Sequence, residues 1–316
     1  MKLIFDGRTS LSEYRRLIKE ATKSIHLSVY IVKPDEVMRE LFDLLDKRHK
    51  EGIDVKLIYD FYGCWRCLFF LRKYKWATPY SRTLNRRLHA KISIFDGKIG
   101  IVSGRNFAKE YFQRWHDTSI VLTKPNEIKE LQFFWDHILI GFPLVNMLLK
   151  FTSEKQHEIY DIVVTNIRKA KNEILIISPY FVIDKTLMVE MRKACERGVN
   201  VTVITPLKME NGLMEIFNRL NFHKVEHTNF RTYHTTNMFH SKIILIDDVG
   251  IVGSANFDLR SFKINFEACV QVDKKHITQI KKHSQVLKEH NAKYSRFKRR
   301  VDSVLEFLFR PIMPLL

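Results

Sequence analysis

The chain has 316 residues, four of them cysteine, with 45% hydrophobic and 28% charged residues. This excludes a disordered or collagen-like chain and a disulfide scaffold, and the length allows two domains of ~150 residues with a sizeable core. Fifty-three Lys and Arg against 35 Asp and Glu leave a net charge of +18, a surface that attracts a polyanion or an anionic membrane without choosing between nucleic acid and lipid.

The N-terminus, MKLIFDGRTS, lacks the apolar core of a secretory signal. The longest uncharged apolar run, Ile138–Leu149, falls short of the ~20 residues that a spanning helix needs. The expectation is a cytoplasmic chain, soluble or peripheral on a membrane surface. In chain order, SIHLSVYIV from Ser24 reads as a strand, Asp35–Glu51 as a helix and GIDVKLIYD as a second strand. The same order returns as EILIISPYFV from Glu173, a helix over Asp184–Arg197 and GVNVTVITP. Asp35 and Asp184 suit helix N-caps, and Gly52 and Gly198 suit helix stops.

Each half continues with a β-branched strand opened by a histidine, HAKISIF from His89 and HSKIILI from His240. A glycine-containing turn and a further strand follow, SIVLT from Ser119 or EACVQV from Glu267. The repeat predicts an α/β fold of two similar sandwich halves packed about a pseudo-twofold axis, as an intramolecular dimer. The expected halves are residues 1–152 and 153–316, with the junction near Phe151–Glu158 and an amphipathic helix closing the second half. Two independent α/β domains are the alternative.

The pattern His-x-Lys-x4-Asp occurs twice, as His89, Lys91, Asp96 and as His240, Lys242, Asp247. One copy is a weak signal, but two at matching places in a repeat are strong. Alternation along a strand projects His89 with Lys91, and His240 with Lys242, from one face. Asp96 and Asp247 fall on the other face or past the strand end, as orienters or structural partners. Asn106 in SGRN and Asn256 in GSAN follow in register, as do the carboxylates Asp117 and Glu267. Two histidines, two lysines and two amides around one point suit a phosphate: cations neutralise its oxygens while an imidazole attacks phosphorus or shuttles a proton.

With FDGKIGIVSGRNFAKEYF, WHDTSI, SPYFVIDKTL, GSANFDLRSFKINFE and the tail FLFRPIMPLL, the duplicated motif resembles the phospholipase D superfamily, and within it the bacterial cardiolipin synthases. The likeness runs from about Phe5 to Leu316. The sequence departs from that family in lacking two N-terminal membrane-spanning helices, in Ser103 where the first motif usually has glycine, and in Cys64 where a serine is usual. The resemblance implies a two-step phosphatidyl transfer through a phosphohistidine, with no metal or other cofactor and no oligomer required to complete the site. His89 is then the nucleophile and His240 the general acid/base, an order that two near-mirror motifs do not themselves fix. Lys91, Lys242, Asn106, Ser254 and Asn256 hold the phosphoryl oxygens, Asp117 orients His89, and Glu267 orients His240. Phosphatidylglycerol serves as donor and acceptor. The alternatives are a hydrolytic phospholipase D, a phosphatidyltransferase using another alcohol, a nuclease using the same two histidines, and a non-catalytic membrane-binding module.

Three further stretches carry expectations. Cys64–Lys98 sets Arg66, Arg72, Lys73, Lys75, Arg82, Arg86, Arg87, Lys91 and Lys98 against Asp96 alone, interleaved with aromatic residues. That suits an anionic bilayer interface, or single-stranded nucleic acid, or an ordinary solvated basic face. Phe133–Phe151 reads either as a bilayer-surface segment or as a core helix or linker. Tyr294, Phe297, Val301, Val304, Leu305 and Leu308 recur at helical spacing, for docking on the core or on membrane. Cys64 and Cys67 form a C-x-x-C without the second pair that a structural zinc site requires.

Overall fold

The structure is a computed structural model that describes all residues except 82–84, 141–148, 154–155, 210–211, 237 and 295–316. The first half opens with β1 (Lys2–Ile4), α1 (Gly7–Glu20), β2 (Ser24–Val29), α2 (Glu36–Lys50) and β3 (Asp54–Asp60). A short 3-10 turn at Trp65–Cys67 runs into α3 (Leu68–Leu71), followed by β4 (Ala77–Tyr80), β5 (Lys91–Phe95), β6 (Ile99–Ser103), α4 (Lys109–Gln113), β7 (Ser119–Leu122) and α5 (Pro125–His137). The second half follows with β8 (Lys150–Thr152), α6 (Glu158–Lys169), β9 (Glu173–Ile177), β10 (Phe181–Val182), α7 (Lys185–Glu196), β11 (Asn200–Pro206) and α8 (Gly212–Val225). It ends with β12 (Phe230–Thr235), β13 (Ile243–Ile246), β14 (Val249–Gly253), β15 (Phe257–Asp258), α9 (Leu259–Lys263), β16 (Glu267–Val272), α10 (Lys274–Asn291) and β17 (Ala292–Tyr294). Because β8 pairs with β16 of the second sheet, its three residues belong there rather than in the expected first half 1–152.

The two sheets repeat one topology. The first is ordered β1-β7-β6-β5-β2-β3-β4, the second β17-β12-β11-β9-β13-β14-β16-β8. The run β7-β6-β5-β2-β3-β4 thus corresponds to β16-β14-β13-β9-β11-β12. In both, the strand–helix–strand unit is parallel (β2 with β3, β9 with β11), and the strand after the histidine runs antiparallel to its first member. The local signals act as expected. Asp35 and Asp184 cap α2 and α7 by accepting from the backbone N–H of Met38 and Leu187. Gly52 and Gly198 leave those helices at φ +93° and +88°, where a Cβ is strained.

Each sheet covers one face with its own helices and turns the other toward its twin. Ile92, Ile94, Val102 and Ile120 from the first sheet share one buried cluster with Leu175, Ile177, Ile243, Leu245 and Val252 from the second. Burial of about 25 cal/mol per Å² across this seam is what fuses the repeats. Leu131, Phe134, Trp135 and Ile138 of α5 and its end join the same cluster, as does Phe151. The core reading therefore fits Phe134, Trp135, Ile138, Leu149 and Phe151, whereas Leu139 and Ile140 are 39% and 71% exposed; residues 141–148 lie outside the described residues. So do Arg82 and the supposed C-terminal helix from Phe297 to Leu308, while Tyr294 ends β17, paired antiparallel with β12.

Asp96 and Asp247 are the two non-glycine residues with positive φ among the described residues, at 54° and 48°. Each stands at the strand end opposite its histidine. The Asp96 carboxylate accepts from the N–H groups of Thr22 (2.9 Å), Lys23 (2.7 Å) and Ser24 (3.0 Å). Asp247 accepts likewise from Lys171, Asn172 and Glu173. Each ties the β-hairpin turn to the start of the central strand. Asp96→Ala loses three charge-assisted bonds and places a Cβ-bearing residue without a local acceptor at positive φ. It is expected to cost about 2 kcal/mol in urea unfolding, with Asp96→Asn costing less.

Candidate active site

The seam between the halves determines where the histidines go. The chain before β5 and β13 leaves its own sheet to pair with the other half. Leu88 bridges to Phe266, and His116 bridges to Phe239. The His89 N–H donates to Phe266 O at 3.0 Å, and the His240 N–H donates to His116 O at 2.7 Å. The histidines therefore precede their strands rather than opening them. Each lies beside the residue just ahead of the other half's carboxylate, and Thr118 Oγ1 donates to Ser241 Oγ across the same seam at 2.9 Å.

This crossing reverses one expectation. His89 Nδ1 meets Glu267 Oε1 at 2.7 Å, and His240 Nδ1 meets Asp117 Oδ2 at 2.7 Å. Glu267, not Asp117, serves His89, and Asp117, not Glu267, serves His240. Within one half, histidine and carboxylate lie on segments separated by two strands; across the seam they are adjacent. An ionised carboxylate only accepts, so each Nδ1 carries the proton and each Nε2 keeps its lone pair.

The cluster is deeply buried. His89 and His240 are 8% exposed, Lys91 and Lys242 2%, Asp117 1% and Glu267 0%. Lys91 Nζ donates to His89 O at 2.6 Å, and Lys242 Nζ donates to His240 O and lies across the His240 ring, 2.6 Å from Nδ1 and 3.1 Å from Nε2. Burial pushes the His89 pKa down to about 4, with Glu267 opposing and Lys91 and Lys242 assisting. Burial, assisted by Lys242 and opposed by Asp117, takes His240 to about 3. Lys242 falls to about 8, chiefly through burial, and Lys91 falls well below its ordinary value for the same reason. Burial opposes ionisation of Asp117 and Glu267, but Lys242 and His240, or His89 and Lys91, outweigh it, and both carboxyls stay below the usual range. The lysine of each motif thus acts on the histidine of the other, as convergence on one point requires. Two lysines face two carboxylates, so the cluster favours neutral imidazoles, and a further anion beside it would shift that balance toward one imidazolium.

The remaining expected residues divide. Asn106 uses Oδ1 to accept from the Ile31 N–H (3.2 Å) and Nδ2 to donate to Tyr111 Oη (2.9 Å), so its amide already holds the rim together. Ser254 donates to Glu267 Oε2 and accepts from the Ala268 N–H, which makes it a support for Glu267 rather than a ligand for phosphate. Asn256, 5% exposed, has Oδ1 without a hydrogen-bond partner. Asp96 and Asp247 stand apart from the cluster: five residues of β5 at ~3.3 Å each separate Lys91 from Asp96 by roughly 17 Å. The departure at Ser103 is absorbed locally. Its hydroxyl meets Ser119 Oγ at 2.8 Å, while Gly104 lets the Asp117 carboxylate approach to where a Cβ would lie 2.2 Å away.

Sequence reasoning missed three groups. Buried Asp60 accepts from the Leu88 N–H at 2.8 Å and from Gly63 at 2.7 Å, fixing the approach to His89. Its carboxyl is raised by burial. Tyr30 and Tyr111 set ring edges 4.9 Å from His89 and His240 respectively. Arg105, 1% exposed, donates to the carbonyls of Phe5, Tyr111 and Asp117 and stiffens the Asp117 segment. Asp60, ending a strand that the repeat had already located, was the one with a readable signal.

Two outcomes test this geometry. Glu267 holds the His89 pKa up, so Glu267→Gln should lower it further while His240 moves far less, as followed by imidazole NMR titration; equal movement of both would contradict the crossed pairing. Unfolded imidazoles take up protons below about 6.5, whereas folded His89, His240, His234 and His283 resist to about 4, about 3, about 4 and about 4. The contribution of these four imidazoles to stability is therefore full above about pH 6.5 and is lost on acidification from there through these depressed values. The His89→Gln/His240→Gln double variant should show a shallower fall of the urea midpoint from pH 7 to pH 5.

Comparison with known proteins accords with the duplicated architecture. The family profile described as "Cardiolipin synthase, PLD-like domain" matches residues 14–138 and 163–290. A cardiolipin synthase of Halalkalibacterium halodurans is 29% identical over 84% of the chain and 61% of its own length. The major cardiolipin synthase ClsA of Bacillus subtilis is 30% identical over 84% of the chain and 64% of its own length. The chain thus spans about three fifths of the length of these relatives. A phosphatidylserine synthase of Haemophilus influenzae shares the fold, with a TM-score of 0.77 at 17% identity over 99% of the chain and 93% of that structure. Among the described residues no helix is long and apolar enough to cross a membrane.

Proposed function

The chain belongs to the PLD-like cardiolipin synthase family, and from that premise we propose that it is a phosphatidyltransferase that makes cardiolipin from two molecules of phosphatidylglycerol. The observation that carries the reading is the pair of imidazoles, each bound through Nδ1 to a buried carboxylate of the other half, with Nε2 the remaining ring nitrogen of each and Lys242 beside that of His240. His89 Nε2 attacks phosphorus; a nitrogen–phosphorus bond forms, and the bond from phosphorus to the glycerol oxygen breaks. His240, protonated once the phosphodiester is bound, gives its proton to the departing glycerol. It then takes a proton from the hydroxyl of a second phosphatidylglycerol, whose oxygen displaces His89 from phosphorus. Cardiolipin and glycerol are the products, and both histidines are restored. Lys91, Lys242 and Asn256 face the phosphoryl oxygens, while Glu267 and Asp117 stabilise the charge that each imidazole acquires. The enzyme works peripherally at a lipid surface.

The depressed imidazole pKa values support this division. A nucleophile must be neutral, and His89 at about 4 is neutral at physiological pH. The acid needs a proton only in the complex, where the bound anion supplies the missing counter-charge. Water in place of the second lipid gives hydrolysis from the same intermediate.

The test is parallel incubation with phosphatidylglycerol, phosphatidylethanolamine and single-stranded DNA, with products read by mass. Cardiolipin from phosphatidylglycerol is expected. Phosphatidic acid alone would mark a hydrolase, and DNA cleavage without lipid turnover a nuclease. His89→Ala and His240→Ala should each lower transfer by about 10³-fold or more with the fold retained by circular dichroism. Acid quenching of the wild type should leave the phosphoryl group on the peptide containing His89; recovery on the His240 peptide would exchange the two roles.

A further inference from the structure

We propose that the segment Trp65–Lys73 is a bilayer-docking finger that sets the His89 side of the histidine cluster against an anionic phospholipid surface. The inference rests on the lipid reading above and assigns its membrane contact to named residues. The 3-10 turn at Trp65–Cys67 runs directly into α3, so Trp65 and Phe69, four residues apart, project from one face. They are 62% and 89% exposed, whereas Cys67, Phe70 and Leu71 on the opposite face are buried in the first half's core. Two large exposed rings on a short element whose other face is anchored have no partner within the core that could claim them. Arg66, Arg72 and Lys73 of the same segment are exposed, with the Arg66 guanidinium 5.1 Å from the Trp65 ring centroid. No acidic residue occurs between Asp60 and Asp96. Aromatic rings beside basic heads, without a carboxylate to repel lipid phosphates, match the interface of an anionic bilayer in both apolar and charged character.

The finger is joined to the site by short links. It follows β3, which ends at the same sheet edge as His89. Gly63 packs so closely on Tyr30 that a Cβ would lie 2.2 Å from the Tyr30 carbonyl oxygen. Cys64 Sγ donates to that same carbonyl at 3.5 Å, and the Tyr30 ring contacts His89 at 4.9 Å. Three consecutive contacts thus fix the distance from docked rings to the histidine. Among the described residues of the second half, Leu207, directly after the corresponding β11, is 44% exposed, but no pair of exposed rings stands there.

The experiment uses the full chain, the double variant Trp65→Ser/Phe69→Ser and the triple variant Arg66→Gln/Arg72→Gln/Lys73→Gln. Binding is read by flotation with vesicles of phosphatidylcholine alone or mixed with phosphatidylglycerol. Turnover is read on those vesicles and on a water-soluble short-chain phosphatidylglycerol. The double variant should bind mixed vesicles about tenfold more weakly and lose vesicle turnover in proportion, while short-chain turnover stays at the wild-type value. The triple variant should lose the preference for anionic vesicles. Wild-type vesicle binding by the double variant would overturn the proposal. So would an equal loss on both substrates, or weakened single-stranded DNA binding with unchanged vesicle binding. If the wild type turns over neither lipid, the enzymatic reading fails, and flotation still decides the finger.

Discussion

Two buried histidine–carboxylate pairs, exchanged between the halves of one chain, are the constraint around which the rest is arranged. Each pair forms only if both sheets present their inner faces to one another, and each is held by backbone bonds from the loop that carries the histidine to the loop that carries the other half's acid. Removing a carboxylate leaves a buried imidazole N–H without its acceptor, and removing a histidine leaves a buried carboxylate without its donor, each at a cost of about 1–3 kcal/mol. Fusion of the repeats through the apolar seam and assembly of the polar centre are thus the same event.

The central strands, the helices between them and their ends were legible because local chemistry specifies them. Asp35, Asp184, Gly52 and Gly198 act through backbone positions only a few residues away. The duplicated motif was legible because repetition separates signal from accident. The crossing was not legible: Asp117 and Glu267 each lie a similar distance in sequence from their own histidine, and spacing along a chain says nothing about which half supplies a neighbour. The same blindness applied to Ser254, whose hydroxyl is taken by Glu267, and to Asn106, whose amide is taken by Ile31 and Tyr111. A small polar side chain in a motif is equally suited to touching substrate and to holding the group that does.

The two halves agree at the centre and differ around it. Gly104 and Arg105 in the first stand where Ser254 and Ala255 stand in the second. The first half lets its carboxylate in by omitting a side chain and braces it with a buried guanidinium, whereas the second braces its carboxylate with a hydroxyl. Both solutions deliver an acid to an Nδ1 at 2.7 Å. Equal geometry at the two pairs therefore does not require equal sequence in their supports.

The margins differ more. Tyr30 and Tyr111, the rings that edge the two imidazoles, both come from the first half. After β11 the second half instead builds α8, whose Phe217 and Leu220 pack with Val182 and whose Asn218 accepts from the Phe181 N–H. A perfectly two-fold site would receive a molecule equally well in either of two opposed poses. Unlike shoulders remove that degeneracy, so a ligand at this site meets a left and a right. Under the transfer proposed above, the incoming and outgoing alcohols can then keep to separate lanes.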